Sequence, residues 1–248
     1  MLFHSRLVTS PIPATAAISP VAATAKAAAP MSLLRRPLFL LVLVASLGLA
    51  AATGRAAANT EAATTFVSDL LSKALQSLAD KSLTDEQREK QFRTMLDTKF
   101  DMPRISRFVL GRYWTTASEQ ERQNFQKLFE DYVVRAYSAR FSQYSGEQVK
   151  VTGARPESDT VTLVTSQIIR PNGAPPAKID WRVRKQDNDL KVVDIDVEGV
   201  SMLVTQREEF GSVIQRSGGT VAALNKTLQE RLASGDTSLA APPLPQKQ

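Results

Sequence analysis

Apolar side chains recur at steps of three and four along residues 64–144, and from about residue 148 to 197 they alternate with polar ones. The first spacing belongs to helices that bury one face and the second to strands. Thr64 opens a helical pattern carrying Phe66, Val67, Leu70, Leu71, Ala74, Leu75 and Leu78. Thr84 followed three residues later by Gln87 has the form of a capping box, which predicts a second helix to about Asp97. Asp101, with Pro103 in the first turn, starts a third that carries Ile105, Phe108, Val109 and Leu110. Ser118 and Glu121 form another capping box. The helix it opens is the longest, with Phe125, Leu128, Phe129, Tyr132, Val133, Ala136, Tyr137, Phe141 and Tyr144 on the helical period.

In the alternating region Val149 and Val151 mark one strand, and Val161, Leu163, Thr165, Gln167 and Ile169 read as the inward row of a second. Pro171-Asn172-Gly173 is a turn signal before Ile179, Trp181 and Val183. Gln186-Asp187-Asn188-Asp189 is another, and Val193, Ile195 and Val197 complete a fourth strand that ends at Glu198-Gly199. Short polar turns between consecutive strands imply an antiparallel meander with one face buried. Helices follow over about 201–216 and 220–233, and residues 235–248 have the composition of a disordered tail. The fold class is α+β, with helices packed on one face of a four-stranded antiparallel sheet.

Charge divides the chain in two. Residues 1–58 hold no Asp or Glu, and they hold five of the 31 basic residues and the single histidine, His4. The remainder sets 26 basic groups against all 25 acidic ones, a balance that offers no electrostatic footprint for nucleic acid. The first 58 residues read as a leader. Arg35-Arg36-Pro37 precedes an apolar run over 38–52, and Ala56-Ala57-Ala58 supplies small residues for cleavage before Asn59. Met31 is an alternative start. A run of 15 is short for a membrane span of about 20 residues. An organelle transit peptide and an uncleaved anchor are the rival readings, and the abrupt Leu/Val block favours export. Beyond Ala58 there is neither His nor Cys, which excludes Ser-His-Asp and Cys-His catalysis, thiol redox chemistry and ordinary zinc or haem ligation.

Nine of the 14 aromatic residues beyond Ala58 lie between Phe108 and Tyr144. Such a stripe serves a helical core or lines a cavity for an apolar ligand, and Thr165 and Gln167 on an inward row would add polar atoms to such a cavity. Arg104, Arg107 and Arg112 cluster beside Tyr113-Trp114, as a solvated face or as a site for a phosphate or an acidic partner. Asp194 and Asp196 alternate with the valine and isoleucine row and are expected to point to solvent, as is Asp180.

The stretch Asp194-Ile195-Asp196-Val197-Glu198-Gly199-Val200-Ser201-Met202, followed by Arg207 and Phe210, resembles the signature of the MlaC/toluene-tolerance family. Arg107-Phe108-Val109-Leu110-Gly111-Arg112-Tyr113-Trp114, with Phe125, Phe129 and Tyr137 after it, resembles a helical motif of the same family, and the likeness spans roughly residues 64–233. The resemblance implies a periplasmic shuttle, exported by the leader, with one lipid-binding domain over 59–234 and an NTF2-like cone fold. Its cargo would be a phospholipid, held without any other cofactor or a metal. Its partners would be an inner-membrane ABC transporter bearing an MCE-domain ring and an outer-membrane lipoprotein–porin complex. One 16-carbon chain costs on the order of 10 kcal/mol to expose to water, so a dry cavity suffices for the task without a catalyst.

Pattern and resemblance together place Phe108, Phe129, Tyr132, Val133, Tyr137, Val161, Leu163, Ile179, Trp181, Val183, Ile195, Val197, Val200 and Met202 around the lipid. On this reading Val161→Trp or Leu163→Trp lowers lipid occupancy. Three alternatives stay open: a carrier of hopanoid-type lipids within the family, an NTF2-like enzyme using Asp and Tyr, and a non-catalytic periplasmic interaction domain.

Overall fold

The structure is a computed structural model that describes residues 37–187, 189–236 and 238, with side chains from residue 57 onward. Residues 1–46 and 47–248 form two compact units, and of the first only the backbone from Pro37 is described. The predicted leader therefore lies largely, and the predicted tail mostly, outside the described residues.

Helix α1 covers Pro37–Ala79 as one element, so Thr64 is not its start. Two local causes are visible. Residues 56–63 are rich in alanine, the strongest helix former, and the Thr64 hydroxyl donates back to the Thr60 carbonyl at 2.8 Å instead of capping. Helix α2 (Asp85–Lys99) has both bonds of the predicted capping box, Thr84 with Gln87. Helix α3 (Met102–Leu110) begins where Asp101 accepts from the Arg104 N–H. It stops at Gly111, whose φ of +53° favours glycine. A single turn, α4 (Tyr113–Thr116), follows without a clear sequence signal. Helix α5 (Glu119–Ser138) has the Ser118–Glu121 box, and it ends before the predicted Tyr144. The chain tightens into a 3-10 turn at Phe141–Gln143, where Phe141 lies edge-on to Phe92 of α2 at 5.6 Å.

The sheet has five strands in sequential antiparallel order: β1 (Gln148–Pro156), β2 (Val161–Ile169), β3 (Ala177–Gln186), β4 (Asp189–Val197) and β5 (Val200–Ser201). The extra strand arises because Glu198 and Gly199, with φ of +53° and +85°, form a two-residue hairpin turn where the sequence suggests an end. Ser201 then caps α6 (Met202–Arg216), and Thr220 caps α7 (Val221–Ser234), which Gly235 closes in the left-handed conformation.

Two sequence expectations about the sheet are corrected by its register. Residues directly opposite in an antiparallel pair share a face, and Thr162, Val164 and Ser166 oppose Val183, Trp181 and Ile179. The row facing α1 is therefore Thr162, Val164, Ser166 and Ile168. Val161, Leu163, Thr165, Gln167 and Ile169 lie on the other face. Strand β2 is apolar on both faces, so its alternation carries no phase. A β-bulge between Arg182 and Val183 also sets Val192 opposite Val183, so Val192 replaces Val193 in the row with Ile195 and Val197. Ser166 is tolerated inside because its hydroxyl accepts the Trp181 indole N–H at 2.9 Å. Ser166→Ala leaves that buried donor unpaired at a cost of about 1–3 kcal/mol. Thermal unfolding should then fall by roughly 3–10 °C, and an unchanged midpoint would show that the bond contributes nothing.

The apolar side chains form two clusters. Phe125, Phe129, Tyr132 and Phe210 centre the first, among α3, α5, α6 and α7. The second joins Ala63, Val67 and Leu70 of α1 to Val164, Ile179, Trp181, Val183 and Val192 of the sheet. Beyond these apolar contacts, Lys185 donates to the Asn59 side chain at 2.8 Å and so ties α1 to β3.

Candidate functional site

Beside Val161, Leu163 and Ile169 of β2, the opposite face of the sheet carries a network of polar side chains. Thr165 donates to Asp180 at 2.6 Å, and Lys178 pairs with the same carboxylate at 2.7 Å. Burial pushes the Asp180 carboxyl up, but these bonds outweigh it and hold it below the ordinary value. Arg182 bridges Glu157 and Asp194. Asp194 also accepts from the Ser201 hydroxyl at 2.7 Å and the Leu203 N–H at 3.2 Å, which ties β4 to the first turn of α6. Its side chain is only 8% exposed, so the expectation that it points freely to solvent is corrected. The three aspartates lie on the face turned away from α1, because Asp180 opposes both Thr165 and Asp196 and Arg182 opposes Asp194.

On the α1 side, a half-open groove of about 420 Å³ runs between α1 and α2. It lies within the range of about 300–1,000 Å³ typical of small-ligand sites. Helical spacing builds it. Phe66, Leu70, Ala74 and Leu78 form one stripe of α1, Phe92 and Met95 face them from α2, and Phe141 joins the lining. Lys73, Arg88 and Lys99 contribute cationic side chains, with the Lys99 ammonium 5.6 Å from the centre of the Phe66 ring. Phe66, Leu70 and Met95 also belong to the α1–sheet cluster, so the groove is continuous with the apolar interior. Among the described residues, Asp69 is the one carboxylate lining it. Among the described residues, no three His, Cys, Asp or Glu side chains come together as a metal site.

The residues expected around the ligand divide into separate places. Ile179, Trp181 and Val183 are buried under α1, Ile195 packs against them, and Val197 shares their row opposite Ile179. Phe129 and Tyr132 belong to the helical core, with Val133 and Tyr137 packed against it. Tyr137 also reaches Phe92 at 6.1 Å between ring centres, and burial pushes its hydroxyl pKa up. Met202 is half-buried in the first turn of α6. Val161 and Leu163 are on the far face of the sheet. Phe108, 37% exposed, and Val200, 51% exposed, join neither apolar cluster.

The groove residues of α2 were not legible as a site. Phe92 and Met95 stand in a helix that is otherwise strongly polar, with Leu96 its buried residue. The isolated pair one helical turn apart is the available signal.

These features define an α+β protein whose sheet is covered on one face by helices, with an apolar groove beside the covering helix. The chain belongs to the MlaC family: the family model described as "MlaC protein" matches residues 67–230. It is similar to the intermembrane phospholipid transport system binding protein MlaC of Haemophilus influenzae, 26% identical over 113 residues. That alignment covers 44% of this chain and 53% of the relative, so the chain spans about half the length of the curated relative. A phospholipid-binding protein of Ralstonia solanacearum, solved in complex with a phospholipid, matches with a TM-score of 0.60 and 26% identity. The match covers 69% of this chain and 97% of that one.

Proposed function

We propose that this chain binds a phospholipid and carries it through the periplasm between the inner and outer membranes, as the soluble part of an Mla-type transport system. The observation that carries the reading is the groove between α1 and α2, lined by facing apolar stripes and continuous with the α1–sheet cluster. Likeness to a protein solved with a phospholipid supports it. The acyl chains lie along this groove and beneath α1 against Ile179, Trp181, Val183, Ile195 and Val197. Each methylene removed from water contributes about 0.8 kcal/mol, so apolar lining alone holds the cargo, and no catalytic group takes part.

Helix α1 is the movable wall in this proposal. Side-chain packing, with the Lys185–Asn59 bond, holds it on the sheet, and lipid entry spreads it from Val164 and Trp181. The inner-membrane MCE-ring ABC transporter and the outer-membrane lipoprotein–porin complex are its proposed exchange partners, and the leader exports it.

Native mass spectrometry with lipid extraction, on the protein recovered after export in its host, tests this directly. Near one phospholipid per chain is expected. A co-purifying hopanoid would keep the mechanism and change the cargo. A chain that stays free of lipid after incubation with liposomes sinks the proposal.

A further inference from the structure

The arginine-rich motif that precedes Tyr113-Trp114 has no part in the lipid groove. The structure places it on the outer face of α3, beside α6. Arg104, Arg107 and Phe108 are exposed on α3, and Val204 and Arg207 are exposed on α6. Arg207 reaches across between the helices. Its guanidinium lies 5.0 Å from the centre of the Phe108 ring, and its Nε is so close to Gly111 that a Cβ there would sit 2.8 Å away. Glycine at 111 therefore allows both the turn after α3 and the seating of Arg207. Arg112 stacks on Tyr113 at 4.9 Å and donates to its hydroxyl at 2.9 Å. None of the four arginines forms an ion pair with a described carboxylate. Nearby, Asp101 is engaged in capping α3, and Glu208 stands exposed beside Arg207.

Part of this arrangement serves the fold. Arg207 lies against the C-terminal end of α3, where a cation is favoured. Arg104 and Arg107 have no such task, and neither does the exposure of Phe108 and Val204, the latter 44% exposed. We propose that this face of α3 and α6 is a docking surface for an acidic protein partner, with Phe108 and Val204 as its apolar centre and the arginines pairing with carboxylates around them.

The chemistry favours a protein over a lipid surface. Helices α3, α4 and α6 contain no lysine, so every basic side chain on this face carries the planar fork that pairs in two-point geometry with carboxylates and equally with phosphates, and the choice between them rests on the seating and the apolar centre of the face. Arg207 and Arg112 are held on aromatic rings before any partner arrives, which reduces the ordering cost of association. Arginine and aromatic residues are also the types that dominate protein interfaces. An anionic membrane is attracted by charge of any geometry and needs none of this arrangement.

The identity of the test partners rests on the carrier reading above; the surface itself does not. Binding of the exported protein would be measured by interferometry to the MCE-ring complex in nanodiscs, to the outer-membrane lipoprotein–porin complex, and to protein-free vesicles rich in phosphatidylglycerol. The wild-type chain should bind at least one complex, and Arg104→Glu with Arg107→Glu should weaken that binding ~30-fold or more. Arg104→Gln with Arg107→Gln should weaken it less, and lipid content by native mass spectrometry should stay at the wild-type level. No binding to either complex, or wild-type affinity in the charge-reversed protein, overturns the proposal. Equal loss of binding to the plain vesicles assigns the face to the membrane and also overturns it. Loss of bound lipid in a folded variant would place the face in the lipid site, against the proposal. A lipid-free wild-type protein that still binds a complex through these arginines would sink the carrier reading and leave the docking surface standing.

Discussion

On the proposed function, replacing Ala74 by tryptophan is expected to empty the protein of lipid. Bound phospholipid, read by native mass spectrometry, should drop from near one per chain to less than about a tenth of that, which corresponds to a loss of at least ~1.4 kcal/mol in binding. Ala74 is half-buried midway along the α1 stripe that lines the groove, with Leu70 on one side and Leu78 on the other. An indole there occupies space that an acyl chain needs, while the helix itself loses at most about 0.7 kcal/mol of propensity. The fold should survive, as checked by circular dichroism. Val161→Trp is the matched control, because the register places Val161 on the far face of the sheet. It should retain its lipid, contrary to the expectation from pattern and resemblance together. A folded Ala74→Trp protein with full lipid content would move the site away from the groove.

Phe210→Ala should be the most destabilising single truncation in the helical cluster. Phe210 is fully buried and meets Phe125 at 5.9 Å and Phe129 at 5.6 Å, both edge-on, with Tyr132 tilted at 6.4 Å. Removing the ring opens a cavity and breaks three aromatic contacts at once, for a cost of about 3–5 kcal/mol. In a domain of this size that lowers the unfolding midpoint by roughly 6–20 °C. Lipid content per folded molecule should hardly change, because Phe210 belongs to the cluster among α3, α5, α6 and α7 and the groove adjoins the other. A shift of less than a few degrees would mean that the neighbouring rings close the gap. Lost lipid in a protein that remains folded would mean that the two clusters are coupled.

The elements of this fold were legible because their signals are local. The capping boxes at Thr84 and Ser118, the Asp101 cap and the glycine turns each depend on a few adjacent residues and their hydrogen bonds. Ends without a strong local signal were read less well. Helix α1 continues upstream through Thr64, and α5 gives way to a 3-10 turn where Phe141 meets Phe92.

Facing was the harder question. Strand β2 carries Val161 and Leu163 on one face and Val164 and Ile168 on the other, so its hydrophobicity is compatible with either orientation. The register with β3 and the bond from Trp181 to Ser166 decide it. The bulge beside Arg182 likewise moves Val192 into the buried row, an insertion that no local pattern on β4 announces.

The candidate site divides along the same line. Sequence by itself determined the types of the long helices and of strands β1 to β4, the α+β class, the absence of His and Cys beyond Ala58, and the family resemblance. Tertiary structure alone decided that the apolar stripe of α1 meets Phe92 and Met95 of a polar helix to form a groove, and that Phe108 lies outside under Arg207. Helix and strand preferences act over a few residues. A groove or a surface patch is made by elements that are distant in the chain, and their juxtaposition depends on register, crossing and side-chain fit.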